Sequence, residues 1–341
     1  MRHKVTVIGS GAWGTAMCFP LCSAGNDVWL WGRSKESIRD VRQRRENRKY
    51  LPGTRLPDEL KATSDPEEAL TGAHVVIVAV PSHSVREVAR EIANLVPHGA
   101  VLVSAAKGIE PATHLRMTQI LAQEMPVHPS NLLSCLSGPN FAVEVARFEP
   151  TTTVVGVRDI QVGEFLQDVF MTSRLRVYTN PDVAGVEFGG ALKNVMAIAV
   201  GIAEGMGLGY NARAGLITRG LTEMARFGQA MGCRSETFAG LSGMGDLVLT
   251  CTGVYSRNRQ CGEAIGKGES LDEFLSRTRL TVEGIRTTQA VREISLAHNI
   301  EVPITEQVYQ ILFMGKSSRE GVTALMMRGR KHEMEEVARY G

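Results

Sequence analysis

The chain has 341 residues, of which 43% are hydrophobic and 22% charged. That is enough apolar material for two domains, or one large one, and too much for a disordered chain. Its 38 basic residues against 36 acidic ones leave a formal charge of +2, so electrostatics gives no case for nucleic acid or an anionic membrane as the main partner.

The chain opens Met-Arg-His-Lys and runs directly into an apolar stretch, with no leader of charged and then apolar residues. No segment reaches the ~18 uninterrupted apolar residues that predict a membrane span. The ending Ala-Arg-Tyr-Gly matches no lipidation or peroxisomal signal. Cys18, Cys22, Cys135, Cys233, Cys251 and Cys261 form no CxxC pair and no zinc-ligand spacing, which predicts free thiols in a reducing compartment. Cys18 and Cys22 fall one turn apart among apolar neighbours, as core residues would. The expectation is a soluble, cytoplasmic protein.

In chain order, the first half alternates apolar, β-rich runs with helical stretches. Val5–Ile8, Val28–Trp31, Val75–Val80, Val101–Ser104, Leu132–Leu136 and Thr152–Val157 read as strands, with a helix over Thr15–Ala24. Continuous rather than alternating apolar strands predict a parallel sheet covered on both faces. Helix-sized spacers between them predict right-handed βαβ units. The basic run Arg42–Lys49 reads as a solvated helix face. After about residue 185 the strands stop. Gly190–Glu204, entered through Pro181-Asp182, then Ala214–Met231, Leu271–Ser276, Glu283–His298 and Ile304–Phe313 carry helical spacing. The predicted fold is α/β: an N-terminal Rossmann-like doubly wound sheet over 1–185, followed by an all-helical domain over 186–341 that binds substrate and carries the catalysis. Such a plan predicts an active site in the cleft at the carboxyl ends of the strands.

Gly9-Ser-Gly11-Ala12-Trp13-Gly14 is a GxGxxG run placed after a strand and before a helix. Gly9 permits the tight turn, Gly11 lets a pyrophosphate approach the backbone, and Gly14 lets the helix pack close to the sheet. The helix N-terminus then offers unpaired N–H groups to the anion. Without its context the run would be only a glycine-rich turn. The second strand ends Trp31-Gly-Arg33-Ser34 with no acid until Glu36. This suits the 2′-phosphate of NADP(H) better than the 2′-hydroxyl of NAD(H), although Arg33 stacked on adenine is the alternative.

Three further groups of residues carry chemistry. Lys193 lies in an otherwise apolar helix, where Gly189, Gly190 and Ala191 would let that helix approach the cofactor domain. A desolvated lysine releases its proton more readily and so suits acid–base work. A lysine snorkelling from the edge of a packed face fits the residues as well. Lys107 follows a strand at its carboxyl end, where ligands bind, or is a surface-loop lysine. Ser256-Arg257-Asn258 offers a hydroxyl, a guanidinium fork and an amide at one point, as a phosphate needs, or is a capped helix start. Asp246 reads as a partner for a lysine or as an N-cap, and Glu283 as a site residue or the first-turn acid of its own helix. His3, His74, His83, His98, His114, His128, His298 and His332 show no ligand spacing, so neither a catalytic histidine nor a metal is expected.

The runs Ser137–Ala146 (SGPNFAVEVA), Leu192–Ile198 (LKNVMAI), Leu241–Gly253 (LSGMGDLVLTCTG), Ser256–Arg259 (SRNR) and Glu283-Gly284 occur in one order across most of the chain. Together with the fingerprint they resemble the bacterial-type NAD(P)-dependent glycerol-3-phosphate dehydrogenases. The resemblance implies interconversion of glycerol 3-phosphate and dihydroxyacetone phosphate, supplying glycerol phosphate for phospholipids, in a protein that is usually a homodimer. It implies Lys193 as proton-transferring group with Asp246 as its orienter, and Lys107 as a second active-site lysine. Cofactor contacts are implied at Gly9, Gly11, Ala12, Trp13, Gly14, Arg33, Lys107, Ala142, Arg257, Val282 and Glu283. Substrate contacts are implied at Lys107, Gly138, Asn140, Lys193, Asp246, Ser256, Arg257 and Asn258. Asn140 stands where the family often has Ser or Thr, and Ala12 where it often has Ser. Asn still donates and accepts hydrogen bonds, and the backbone N–H of Ala12 is unaffected. Two rival readings are a hydroxy-acid dehydrogenase of the same plan and a nucleotide sensor without turnover. The first lacks use for the Ser256–Asn258 run, and the second for two lysines and an anion cluster together.

Overall fold

The computed structural model describes residues 2–278, 281–330 and 333. His332 and most of the last stretch assigned to the helical domain, residues 334–341, lie outside the described residues. The strands are β1 (Lys4–Ile8), β2 (Asp27–Trp31), β3 (Glu46–Asn47), β4 (Leu51–Arg55), β5 (Lys61–Thr63), β6 (Val75–Val78), β7 (Val101–Ser104), β8 (Leu133–Ser137), β9 (Thr151–Gly156) and β10 (Leu175–Asn180). Among them run α1 (Ala12–Ser23), α2 (Lys35–Arg44), α3 (Pro66–Leu70), α4 (Val85–Ile92), α5 (Met117–Glu124), α6 (Ala142–Ala146) and α7 (Ile160–Phe170). The remainder is helical: α8 (Val183–Gly205), α9 (Tyr210–Ala230), α10 (Ser235–Ala239), α11 (Asp246–Thr252), α12 (Arg257–Gly266), α13 (Leu271–Arg277), α14 (Glu283–Ala297), α15 (Pro303–Phe313) and α16 (Ser318–Met326).

The chain divides into two compact units, Met1–Lys107 with Leu115–Glu187, and Gly108–His114 with Phe188–Gly341. The first is built on one sheet in the order β10-β9-β8-β7-β6-β1-β2-β5, with β3 and β4 as a separate hairpin. Every side chain of β6 and β7 is buried. Val5, Val7 and Ile77 pack into one core layer, and Ile8, Val76, Val78 and Leu102 into a second, so the unbroken apolar strands do carry core on both faces. Strand order reverses between β1 and β6, which makes the carboxyl end of β1 a topological switch point, and Gly9 follows it directly.

Three sequence expectations need correction. The sheet is not wholly parallel, because β9 runs antiparallel to β8 while its other neighbours are parallel. The β8–β9 connection holds only the five-residue α6, which packs on α1, so no sheet-covering crossover helix is available to return the chain in parallel. The short β5 and the alternating edge strand β10, whose Arg176 and Tyr178 face solvent, lack the unbroken apolar run that marks the inner strands. The basic run is helical only as far as Arg44. Arg45 turns left-handed at φ 53° and Asn47 is buried in β3.

The second unit centres on α8. Asp182 opens this helix by accepting a hydrogen bond from the Gly185 N–H at 2.9 Å. Over its 23 residues α8 is long and apolar enough to cross a membrane, although Glu187 and Lys193 interrupt its apolar run. Its apolar 18-residue stretch is buried throughout inside the protein, as in the core helix of a folded domain. Gly201 and Gly205 of α8 face Gly262 and Gly266 of α12. A Cβ at Gly201 would stand 2.1 Å from the Arg259 carbonyl oxygen, and one at Gly262 2.1 Å from that of Ile198. The two backbones therefore touch, as small residues four apart on both helices allow. Gly189, expected to serve approach to the cofactor domain, instead lies against the Ser242 carbonyl of its own unit, 2.7 Å from the built Cβ. On α9, buried Glu223 accepts from the Ile304 and Thr305 N–H groups at 2.7 and 2.9 Å, capping α15. Burial pushes its carboxyl up, and these bonds offset part of that shift.

Candidate active site

In the sheet unit, the glycine run turns from β1 into α1. Gly9 has φ +117°, and a Cβ there would fall 2.9 Å from the Ala79 carbonyl oxygen. A Cβ on Gly14 would fall 2.0 Å from the Gly9 carbonyl oxygen, so helix and turn are in backbone contact. Gly11 differs, since a Cβ there would meet no protein atom within 4 Å. Among the described residues no atom fills the space above it, and the buried Trp13 Nε1 has no hydrogen-bond partner. Ala12 and Trp13 occupy the first helical positions of α1, and no side chain caps that helix. The turn is held from outside by Asn47, whose Nδ2 donates to the Ser10 carbonyl and to Thr15 Oγ1, both at 2.8 Å. An uncapped helix start beside open space at Gly11 fits a dinucleotide pyrophosphate.

Arg33 sits past the end of β2, with its fork turned onto α4. It donates to Glu87 Oε1 at 2.9 Å and to Glu91 Oε2 at 2.6 and 3.0 Å. Ser34 Oγ accepts from the Ser37 N–H as N-cap of α2. Lys107, beyond β7, donates from Nζ to the Gly138 carbonyl and to Asn140 Oδ1, both at 3.1 Å. Gly138 has φ +129°, which only glycine adopts without strain. Ala142 opens α6, which packs against α1. Three sequence-predicted residues, Lys107, Gly138 and Asn140, thus form one cluster.

The helical unit brings together the others. Lys193 is 7% exposed and Asp246 1%. Lys193 Nζ donates to Asp246 Oδ1 at 2.9 Å and to Thr250 Oγ1 at 2.7 Å, and Thr250 Oγ1 also lies 3.2 Å from Asp246 Oδ1. Asp246 begins α11, and the Lys193 and Thr250 side chains engage its carboxylate. A π-helical turn over Leu241–Gly245 delivers it there, closed by the Gly245 N–H to Gly240 carbonyl bond at 3.1 Å. Burial pushes the neighbouring Cys251 thiol up to about 12, with Lys193 opposing and Asp246 adding, so the thiol stays neutral.

Ser256 is the N-cap of α12, accepting from the Arg259 N–H at 3.2 Å, and Arg257 is the first helical residue. Asn258 uses both ends of its amide within the unit. Nδ2 donates to Asn194 Oδ1 at 2.8 Å, and Oδ1 accepts from the Gly284 N–H at 2.9 Å. Val282 caps α14 and Glu283 is its first residue. The residue after Lys193 is therefore tied to the Ser256–Asn258 run and to the start of α14. Sequence reasoning passed over Thr250, Asn194, Thr153 and Asn47. Thr250 had a legible signal, lying four residues after Asp246 and hence on the same helix face.

Two family models cover the chain. The NAD-dependent glycerol-3-phosphate dehydrogenase N-terminus matches residues 4–163, and the C-terminus of the same enzyme matches residues 182–323. The chain is 50% identical to the glycerol-3-phosphate dehydrogenase [NAD(P)+] of Pelotomaculum thermopropionicum, covering 99% of this chain and 97% of the relative. It is 49% identical to that of Moorella thermoacetica, over 98% and 99% of the two chains. The crystal structure of glycerol-3-phosphate dehydrogenase from Coxiella burnetii superposes with a TM-score of 0.91 at 36% identity, over 96% of this chain and 99% of that one. A Rossmann-like sheet followed by helices, with the glycine turn and the lysine–aspartate pair in place, thus belongs to a chain that is a member of the NAD(P)-dependent glycerol-3-phosphate dehydrogenase family.

Proposed function

We propose that this chain runs its family's reaction with Lys193 as the proton-transferring group. The reaction is the reversible, NAD(P)-dependent interconversion of sn-glycerol 3-phosphate and dihydroxyacetone phosphate by hydride transfer. When bound, the nicotinamide supplies or accepts the hydride. In the reducing direction the substrate carbonyl oxygen must gain a proton as its carbon gains the hydride, and Lys193 Nζ is the donor; in oxidation the same amine takes the hydroxyl proton. The observation that carries this reading is the buried Lys193–Asp246–Thr250 cluster. Asp246 and Thr250 hold the ammonium in one direction, which fixed geometry for proton transfer requires. Lys107, fixed by Gly138 and Asn140, polarises the substrate oxygen.

The phosphate of the substrate is assigned to Ser256, Arg257 and Asn258 at the start of α12, with Asn258 holding the run in place through Asn194 and Gly284. The 9–14 turn, with Ala142, Val282, Glu283 and Arg257, is assigned to the cofactor. Residues 1–185 are accordingly the dinucleotide-binding domain and 186–341 the substrate domain, in a cytoplasmic homodimer as the family resemblance implies. Arg33 and the lack of an acid at the end of β2 support NADP(H), although a 2′-phosphate must draw Arg33 away from Glu87 and Glu91. The test is NAD(P)H oxidation at 340 nm with dihydroxyacetone phosphate, both cofactors run in parallel. Turnover that disappears with unphosphorylated dihydroxyacetone is expected. No turnover by folded protein with either cofactor would end the assignment, and a tenfold preference for NADH in kcat/KM would end the NADP(H) reading.

A further inference from the structure

The antiparallel turn between β8 and β9 has a chemical consequence. In a parallel pair, the first residues of β9 would lie at the opposite edge of the sheet from the carboxyl end of β8. Here Ser137, the last residue of β8, pairs with Val154, so Thr153 stands beside the cluster of Gly138, Asn140 and Lys107. Thr153 is 1% exposed and Asn140 8%. Thr153 Oγ1 donates to the Ser137 carbonyl at 2.6 Å, and Asn140 Nδ2 donates to Thr153 Oγ1 at 3.1 Å. A hydroxyl has one proton. With that proton committed to the Ser137 carbonyl, the Thr153 oxygen can only accept. It therefore requires the NH2 end of the Asn140 amide, and the amide oxygen must point the other way, to Lys107 Nζ at 3.1 Å. The flipped amide would place an acceptor against an acceptor at Thr153 and NH2 against an ammonium at Lys107.

We propose that Thr153 is a positioning residue for this reaction: its hydroxyl sets the polarity of the Asn140 amide, and through it the direction in which the Lys107 ammonium is held. The inference rests on the reading that Lys107 acts on the substrate. Thr153 touches neither substrate nor cofactor in this role. The chain of donors and acceptors runs from the Ser137 carbonyl through Thr153 and Asn140 to Lys107, and each bond fixes the direction of the next.

The test uses Thr153→Val, which removes the hydroxyl and keeps the shape, and Thr153→Ser, which keeps the hydroxyl and drops a methyl. Thr153→Val is also made with Asn140→Ala, and Lys107→Met is the control. Thr153→Val is expected to lower kcat/KM for dihydroxyacetone phosphate about tenfold or more, with NAD(P)H affinity within twofold of the parent, and Thr153→Ser to stay within threefold. In the Asn140→Ala background the valine should cost less than twofold further, because the group it acts through is gone. If Thr153→Val does not fold, Thr153→Ala is read against Thr153→Ser in the same way. Parental kcat/KM in Thr153→Val, equal losses in the serine and valine variants, or a full valine effect without Asn140 would each overturn the proposal. Near-parental activity in Lys107→Met would remove the Lys107 reading beneath it. An impaired Lys107→Met beside an unimpaired Thr153→Val would remove the Thr153 inference alone.

Discussion

Replacing Lys193 by methionine separates the chemical from the structural role of the buried pair. The ammonium and carboxylate stand 2.9 Å apart with side chains 9% and 1% exposed. At an effective dielectric constant near 20 their attraction is roughly 6 kcal/mol, most of it offset by the desolvation of both charges. Removing the lysine leaves the buried Asp246 carboxylate without its ammonium, a loss expected at about 3–5 kcal/mol of stability. That is a large share of the ~5–15 kcal/mol available to a folded domain, so activity must be read on protein shown to be folded by circular dichroism. The chemical loss is separate, with kcat expected to fall by roughly 10²-fold or more at saturating substrate while NAD(P)H still binds. Lys193→Met with Asp246→Asn removes both charges and should recover at least half of the lost stability in urea melts without restoring turnover. A single variant with kcat within threefold of the parent would remove Lys193 from proton transfer. A double variant as unstable as the single one would refute the account of an uncompensated charge.

The glycine turn offers a paired test. Gly11→Ala adds a Cβ that meets no protein atom, so Tm should stay within a few degrees while NAD(P)H affinity falls tenfold or more. Gly14→Ala drives a Cβ into the Gly9 carbonyl oxygen and should lower Tm markedly even without cofactor; equal behaviour of the two would contradict the assignment. Arg33→Ala should weaken NADPH at least fivefold more than NADH in kcat/KM, and an unchanged cofactor ratio would remove Arg33 from recognition of the 2′-phosphate. His128, whose Nε2 lies 3.0 Å from the Ala100 carbonyl oxygen, has its pKa held below 6.5 by burial, with that hydrogen bond opposing and His98 adding. The unfolded chain therefore takes up the proton first as pH falls, and this stability, present above 6.5, is lost below it. Thermal melts of His128→Gln should show a smaller deficit at pH 5 than at pH 8, and a deficit independent of pH would refute the linkage.

The sequence by itself determined the inner strands, the glycine turn and the helical second half. Each follows from local rules: runs such as Val75–Val78 are too apolar for any place but a covered strand, and Gly9, Gly11 and Gly14 have the spacing of a strand–turn–helix. Lys193 was legible as a lysine out of place in an apolar helix, and the family resemblance pointed to Asp246 as its orienter, but the Lys193–Thr250 hydrogen bond was not read, because it joins residues more than fifty apart. The contact of α8 with α12 was written in Gly201, Gly205, Gly262 and Gly266, yet pairing two such stripes requires knowing which helices meet. The antiparallel β9 was hidden for a related reason. Apolar runs report burial but not direction, and direction depends on what the connecting segment can cover. Only the tertiary structure therefore placed Thr153 beside Asn140, turned Arg33 onto Glu87 and Glu91, and tied Asn258 to Asn194. Hydrogen-bond partners distant in sequence are chosen by packing, which no local pattern specifies.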